Sequence, residues 1–272
     1  MKRRTRFRIT LRQLLSIVTE PFASLREFKE IREEMRRPLK KVPKKVFLIR
    51  HPETNEAVDG IYRGDHAEIT EKGMEQAQTV AGRLADLNVT HIITSTLPRS
   101  VRLAEIIAVR MSMGAKPNSL VKVLPNELFV ECRKPSVMDL KPRDESEPAM
   151  RPIRGLFDWN YRHSDEENRW RLEVRVWRAL RYLAELDAQC VVVVTHGKFL
   201  RVLYHYLYEE GTLNGFYRKA DRLLKHAHTG ITTFSLEEGY RNPALQWQVD
   251  GWNDIAHTST MSRVYADLAL KP

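Results

Sequence analysis

Three observations predict an α/β chain with a mostly parallel central sheet between two helical layers. The runs Val46-Phe-Leu-Ile49 and Val191-Val-Val-Val194 are short and apolar and stop abruptly, as strands buried on both faces do. The stretches between such runs carry apolar residues at helical spacing. Strands and helices also alternate along the chain, the order that builds parallel sheets through helical crossovers. The expected fold is a three-layer α/β/α sandwich with a helical N-terminal extension.

Residues 1–44 read as a basic extension and linker, and 45–272 as the main domain. Phe7, Leu11, Leu14, Leu15 and Val18 recur at helical spacing, and beyond Pro21 so do Phe22, Leu25, Phe28, Ile31 and Met35. Two short amphipathic helices with basic faces follow for 8–36, before a Pro- and Lys-rich linker. Their apolar stripes fit packing on the body or on a second subunit, hence a homodimer. They also fit attachment to an anionic membrane surface or nucleic acid.

The main domain opens with a strand at 45–49 and a loop over 50–69. A helix starts at the N-cap Thr70, with Met74, Ala77, Ala81, Leu84 and Leu87 on one face. His91-Ile-Ile-Thr94 is a strand, and a helix begins near Pro98, a residue suited to a first turn. Leu120–Leu124 is a third strand, ending at Pro125. Residues 132–163, with Pro135, Pro142, Pro148 and Pro152 and no period, read as an inserted excursion or lid. Ser164-Asp-Glu-Glu167 is a capping box opening a helix to about Leu186. The strand Val191–Thr195, a helix Lys198–Tyr208 and strands at Ile231–Leu236 and Gln246–Asp250 complete the chain.

Residues 1–45 hold 15 of the 45 Lys/Arg and 5 of the 35 Asp/Glu, leaving 30 of each sign in the remainder. The whole net charge of +10 therefore belongs to the extension, and the body needs no nucleic acid or other polyanion to explain it. Two cysteines, Cys132 and Cys190, are too few for a disulfide framework, which points to a reducing cytoplasm, with peripheral membrane contact through the extension as the variant. No Cys/His spacing of zinc type occurs, and no metal or other cofactor is expected. The basic start lacks an apolar core of signal-peptide type, so secretion is not expected.

Two histidines end strand-like runs: Arg50-His51 after Val46–Ile49, and Thr195-His196-Gly197 after Val191–Val194. Ligands of open α/β sheets bind beyond the carboxyl ends of strands, so both imidazoles are expected in one crevice. Arginine binds phosphate bidentately, and histidine can form a covalent phosphoryl intermediate.

Leu48-Ile-Arg50-His51-Pro-Glu-Thr54 resembles the Arg-His-Gly signature of the histidine phosphatase (phosphoglycerate mutase-like) superfamily. Tyr62-Arg63-Gly-Asp65 with Ile69–Gly73, Ser95–Arg99, Leu128–Glu131 and Val194–Gly197 follow in fitting order. The resemblance spans about 45–257 and implies a metal-independent phosphomonoesterase acting on a phosphorylated small molecule or phosphoprotein. It implies His51 as nucleophile, Arg50 and Arg99 on the phosphate, and His196 with the Gly197 N–H at the oxyanions. Glu131 is implied as proton donor to the leaving group, then base for water; the bland reading is a surface carboxylate beside Arg133 and Lys134. Arg63 either binds phosphate or pairs with Asp65. Asn55 is considered for phosphate because Ala57 occupies the place where many members carry a phosphate-binding Asn. Pro52 replaces the family glycine, fixing φ and removing a donor. Cys132-Arg-Lys-Pro-Ser136 departs from the Arg-His-Tyr-Gly stretch of glycolytic mutases, which favours hydrolysis over isomerisation. A mutase and a catalytically inactive phosphate-binding module are the rival readings.

Overall fold

The computed structural model describes residues 30, 33–34, 43–113, 121–134, 136–142, 167, 169–208, 225–236 and 247–258. Six strands form one sheet: β1 (Lys44–Arg50), β2 (His91–Thr94), β3 (Lys122–Pro125), β4 (Cys190–Thr195), β5 (Ile231–Leu236) and β6 (Trp247–Asp254). Their order is β3-β2-β4-β1-β5-β6. The first four strands run parallel, and β5 and β6 add antiparallel to the edge beside β1. The sheet is thus mixed and mostly parallel, as the alternation of elements predicts.

Among the described residues five α-helices connect or cover it: α1 (Asn55–Asp59), α2 (Glu71–Leu84), α3 (Pro98–Ser112), α4 (Arg169–Glu185) and α5 (Gly197–Tyr208). The side-chain period of a strand is two, so the valine run of β4 serves both faces. Val191 and Val193 pack with Leu172, Leu180 and Leu183 of α4 and Phe199 and Leu203 of α5. Val192 and Val194 pack with Ala77, Val80 and Leu84 of α2 and Leu103 and Ile107 of α3. All four valines are fully buried, which is why the sequence shows a continuous apolar run rather than alternation.

Thr70 caps α2 as expected, its hydroxyl accepting from Gly73 N at 3.0 Å. Gly73 also permits a close crossing: a Cβ there would lie 2.2 Å from the Glu53 carbonyl oxygen. Pro98 occupies the first turn of α3. Two details differ from expectation. Residues 50–69 are not wholly irregular, since α1 begins at Asn55 after the N-cap Thr54, and Gly60, at φ +74°, ends it in the left-handed region that glycine tolerates. The last strand runs to Asp254, four residues beyond Asp250, because β6 pairs along all of β5 through register shifts near Thr233.

The predicted helices over 8–36, the linker, most of the 132–163 segment and all of the capping box except Glu167 lie outside the described residues. Where the extension is described, Glu34 meets α4. Arg178 grips its carboxylate at 2.9 Å, and Arg181 Nη1 donates to its carbonyl at 2.6 Å. No helix among the described residues is long and apolar enough to cross a membrane.

Candidate active site

β1 and β4 lie side by side, with Arg50 opposite Thr195. His51 and His196 are the next residues of each strand and emerge together, with His51 N donating to Thr195 O at 3.0 Å. The chain leaves β1 toward α2 on one face and leaves β4 into α5 on the other, the switch point where open α/β sheets leave a crevice. The two imidazole centroids are 5.1 Å apart.

The orientation of His51 follows from one bond. Its Nδ1 lies 2.7 Å from the Pro52 carbonyl oxygen, which can only accept, so Nδ1 carries the proton. Nε2 is left with its lone pair. Burial first, then His196, Arg99, Arg50 and His228, hold the His51 pKa well below its usual 6.5. The ring is therefore neutral at physiological pH. Pro52, though unlike the family glycine, supplies the carbonyl that fixes this tautomer.

Two guanidiniums flank the rings. Arg50 Nη1 donates to His226 O at 2.6 Å, and a Cβ on Gly197 would lie 3.3 Å from Arg50 Nε, so glycine leaves the guanidinium room to pass. Arg99, in the first turn of α3 and only 7% exposed, donates from Nη1 to Gly64 O at 2.7 Å. Both arginines approach His51 closely enough to depress its pKa.

His196 is wired differently. Its Nε2 meets Ser95 Oγ at 2.7 Å and Ser100 Oγ at 3.3 Å, while Nδ1 is buried with no hydrogen-bond partner among the described residues. Burial chiefly, with Arg99, Arg50 and Arg175 adding to it against Glu131, lowers its pKa to about 3. Nε2 of His196 is thus engaged by two serines.

Glu131 sits at the amino end of α5. Its Oε2 accepts from Lys198 N at 3.3 Å and its Oε1 from Cys132 N at 2.9 Å. Burial pushes this carboxyl up, but His196, the two backbone N–H groups and Arg99 outweigh it, so the net direction is down. At neutral pH Glu131 is therefore ionised, with both carboxylate oxygens held by backbone N–H groups. Arg175 of α4 holds its segment in place. The guanidinium pairs with Glu167 at 2.6 Å and donates to the carbonyls of Leu128, Val130 and Glu131 at 3.0, 2.7 and 3.4 Å.

Asn55 and Arg63 serve the loop. Asn55 Oδ1 accepts from Glu56 N at 2.8 Å and Glu68 N at 3.1 Å, which leaves Nδ2 as its donating end. Arg63 pairs with Asp59, one turn earlier, at 2.6 Å rather than with Asp65. The sequence reading missed two residues, Arg175 and His228. The His228 ring packs edge-on against His51 with centroids 5.5 Å apart. The signal for His228 was topological. β5 begins at Ile231 opposite Ile49, so the residues just before Ile231 lie beside the end of β1. Among the described residues no group of three or more His, Cys, Asp or Glu side chains is placed to hold a metal ion.

The chain belongs to the histidine phosphatase superfamily (branch 1), whose profile matches residues 46–254. A Salmonella arizonae protein named "Probable phosphoglycerate mutase GpmB" is 29% identical over 219 residues, covering 78% of this chain and 94% of its own. Bacillus stearothermophilus YhfR superposes with a TM-score of 0.60 at 22% identity, covering 79% and 98% of the two chains. The alpha-ribazole phosphatase of Shigella flexneri does so at 0.57 and 20%, covering 77% and 96%. At these identities the two structures speak for the shared fold.

Proposed function

We propose that this protein is a phosphomonoesterase working through a phosphohistidine on His51. One observation carries the reading: a buried, neutral imidazole whose protonated Nδ1 is tied to Pro52 O, which leaves Nε2 its lone pair, with Arg99 and Arg50 near enough to act on it. The arginines neutralise and orient the phosphoryl group, the main task in such a transfer. Nε2 attacks phosphorus and the P–O bond to the leaving group breaks in line. The leaving oxygen takes a proton from Glu131, while His196 and the amino end of α5 favour the developing charge. Water then attacks the phosphohistidine and gives a proton to Glu131. The P–N bond breaks, and phosphate and neutral His51 are restored.

Glu131 is ionised before substrate arrives, so its proton comes with the substrate. A phosphate monoester carries a second pKa near ~6 and brings one as the monoanion. The dianion that remains between two arginines and a carboxylate raises the Glu131 pKa by like-charge repulsion and keeps the acid protonated.

A mutase reading draws support from the name of the Salmonella relative, and Cys132-Arg-Lys-Pro-Ser136 counts against it. A rapid quench with radiolabelled phosphomonoesters should trap an acid-labile, base-stable label on His51 and release inorganic phosphate from a panel of phosphorylated metabolites and phosphopeptides. Isomerisation without phosphate release would assign the mutase, and binding with no label would assign the inactive module. Residues 1–45 are further proposed to contact anionic surfaces. The full-length protein should then sediment with vesicles containing phosphatidylserine, less so as salt rises. Absence of that binding at low salt would reject surface contact.

A further inference from the structure

His228 enters the site from the loop 225–230, which leads into β5. Carbonyl oxygens only accept, so its Nδ1, 3.1 Å from His51 O, is the donor. The same loop holds the neighbouring residue twice: Thr229 N donates to Arg50 O at 3.0 Å, and His226 O receives Arg50 Nη1 at 2.6 Å. Bonds that do not involve the His228 side chain also hold the loop. Asn253 Oδ1 accepts from Ala227 N at 2.8 Å, Gly230 N donates to Ala227 O at 3.2 Å, and His226 Nε2 meets Thr232 Oγ1 at 2.8 Å. The His228 side chain thus donates to the carbonyl of the candidate nucleophile.

We propose that His228 is a positioning residue for His51: its Nδ1–H fixes the His51 peptide plane where β1 ends, and its ring walls the nucleophilic imidazole from water. This rests on the phosphohistidine reading for its consequence in catalysis, but the positioning itself has a readout that does not. Two bonds in series then aim Nε2, His228 Nδ1–H to His51 O and His51 Nδ1–H to Pro52 O. The groups facing His228 are His51, Arg50, Glu53, His226 and the carbonyl of Pro52. Those facing His51 are His196, Arg99, Arg50 and His228.

The test compares His228→Ala, His228→Asn and His228→Gln in the full chain, with p-nitrophenyl phosphate as substrate. Asn places an amide N–H near the position of Nδ1, whereas Gln places it near Nε2. The Ala and Gln variants should form phosphoenzyme ~10- to 100-fold more slowly, the scale of a nucleophile misplaced by about an ångström. KM should hold, because the arginines are untouched, and the acid limb of kcat/KM should move up in pH as water reaches His51. Asn should recover most of the rate. A change in KM alone, or Asn no better than Ala, would overturn the proposal. Nitrogen-15 NMR titration of the His51 ring gives the independent reading. Its pKa should rise toward 6.5 in His228→Ala whether or not the protein transfers phosphate. An unmoved His51 titration would defeat the positioning role. Failure to trap label on wild-type His51 would instead defeat the functional reading. If the Ala variant does not fold, the Asn and Gln pair carries the same contrast.

Discussion

The two strand ends that make the crevice carry the same residue and treat it in opposite ways. At the end of β1, backbone carbonyls hold the histidine: His51 Nδ1 gives its proton to Pro52 O, and His228 grips the His51 carbonyl. At the end of β4, hydroxyls on and before α3 hold it: His196 Nε2 meets Ser95 and Ser100. A carbonyl can only accept and so dictates one tautomer, while a hydroxyl can donate or accept and dictates none. The first wiring suits a nucleophile that must always present a lone pair. The second suits a group whose hydrogen bond can reverse as charge develops nearby.

Replacement by alanine should separate the two most sharply. His51→Ala should abolish both the trapped label and turnover. His196→Ala should leave a label that forms slowly, because the attacking nitrogen is still present. Equal trapping by wild type and His51→Ala in a quench assay would refute the assignment of the β1 histidine.

Glu131→Gln should come next. It keeps shape but cannot donate as an acid, costing ~10²–10⁴-fold for alkyl phosphates. Aryl phosphates, whose leaving groups need less protonation, should lose much less. If both substrate types fall equally in kcat/KM, Glu131 binds rather than protonates.

The pH profile tests the same histidines without mutation. Glu131 is held ionised in the free enzyme, so the required proton comes with the monoanion, and kcat/KM should fall about tenfold per pH unit above ~6. On the acid side, activity should persist below 6.5, because the His51 pKa is held well below that value. Stability has the opposite trend. His196 and His226 titrate at about 3 when folded, mainly through burial, and near 6.5 when unfolded. Between those values the unfolded chain binds more protons, so melting temperature should drop as pH falls below 6.5. A rate that rises from pH 6 to 8 would contradict the proton inventory.

The smallest effect belongs to the serines. Ser95→Ala with Ser100→Ala removes the hydroxyl wiring of His196 and should slow turnover roughly tenfold, the worth of about one hydrogen bond. Trapping on His51 should continue. A loss as deep as that of His51→Ala would mean that the serines orient the nucleophile as well, and the contrast between the strand ends would dissolve.

Residue order alone determined the layers and the partners in the crevice. Val191–Val194 reads as a strand buried on both faces because no residue in it tolerates water, and His51 and His196 follow such runs directly. Thr70 and Pro98 announced the starts of α2 and α3 because capping and proline chemistry act within one turn. Those are local signals, carried by neighbours in the chain. What the tertiary structure decided was long-range hydrogen bonding and charge. His228 lies 177 residues from the carbonyl it holds, and Arg175 lies 44 residues from Glu131, whose segment it clamps. The ionisation of Glu131 turned on His196, two backbone N–H groups and Arg99, which together outweigh its burial. Arg63 found Asp59 rather than Asp65 through the turn that follows α1, where Gly60 is left-handed and Asp59 Oδ1 accepts from Ile61 N. Strand and helix periods are written in consecutive residues, but a proton's position is set by whichever donors and acceptors the fold brings within about three ångströms.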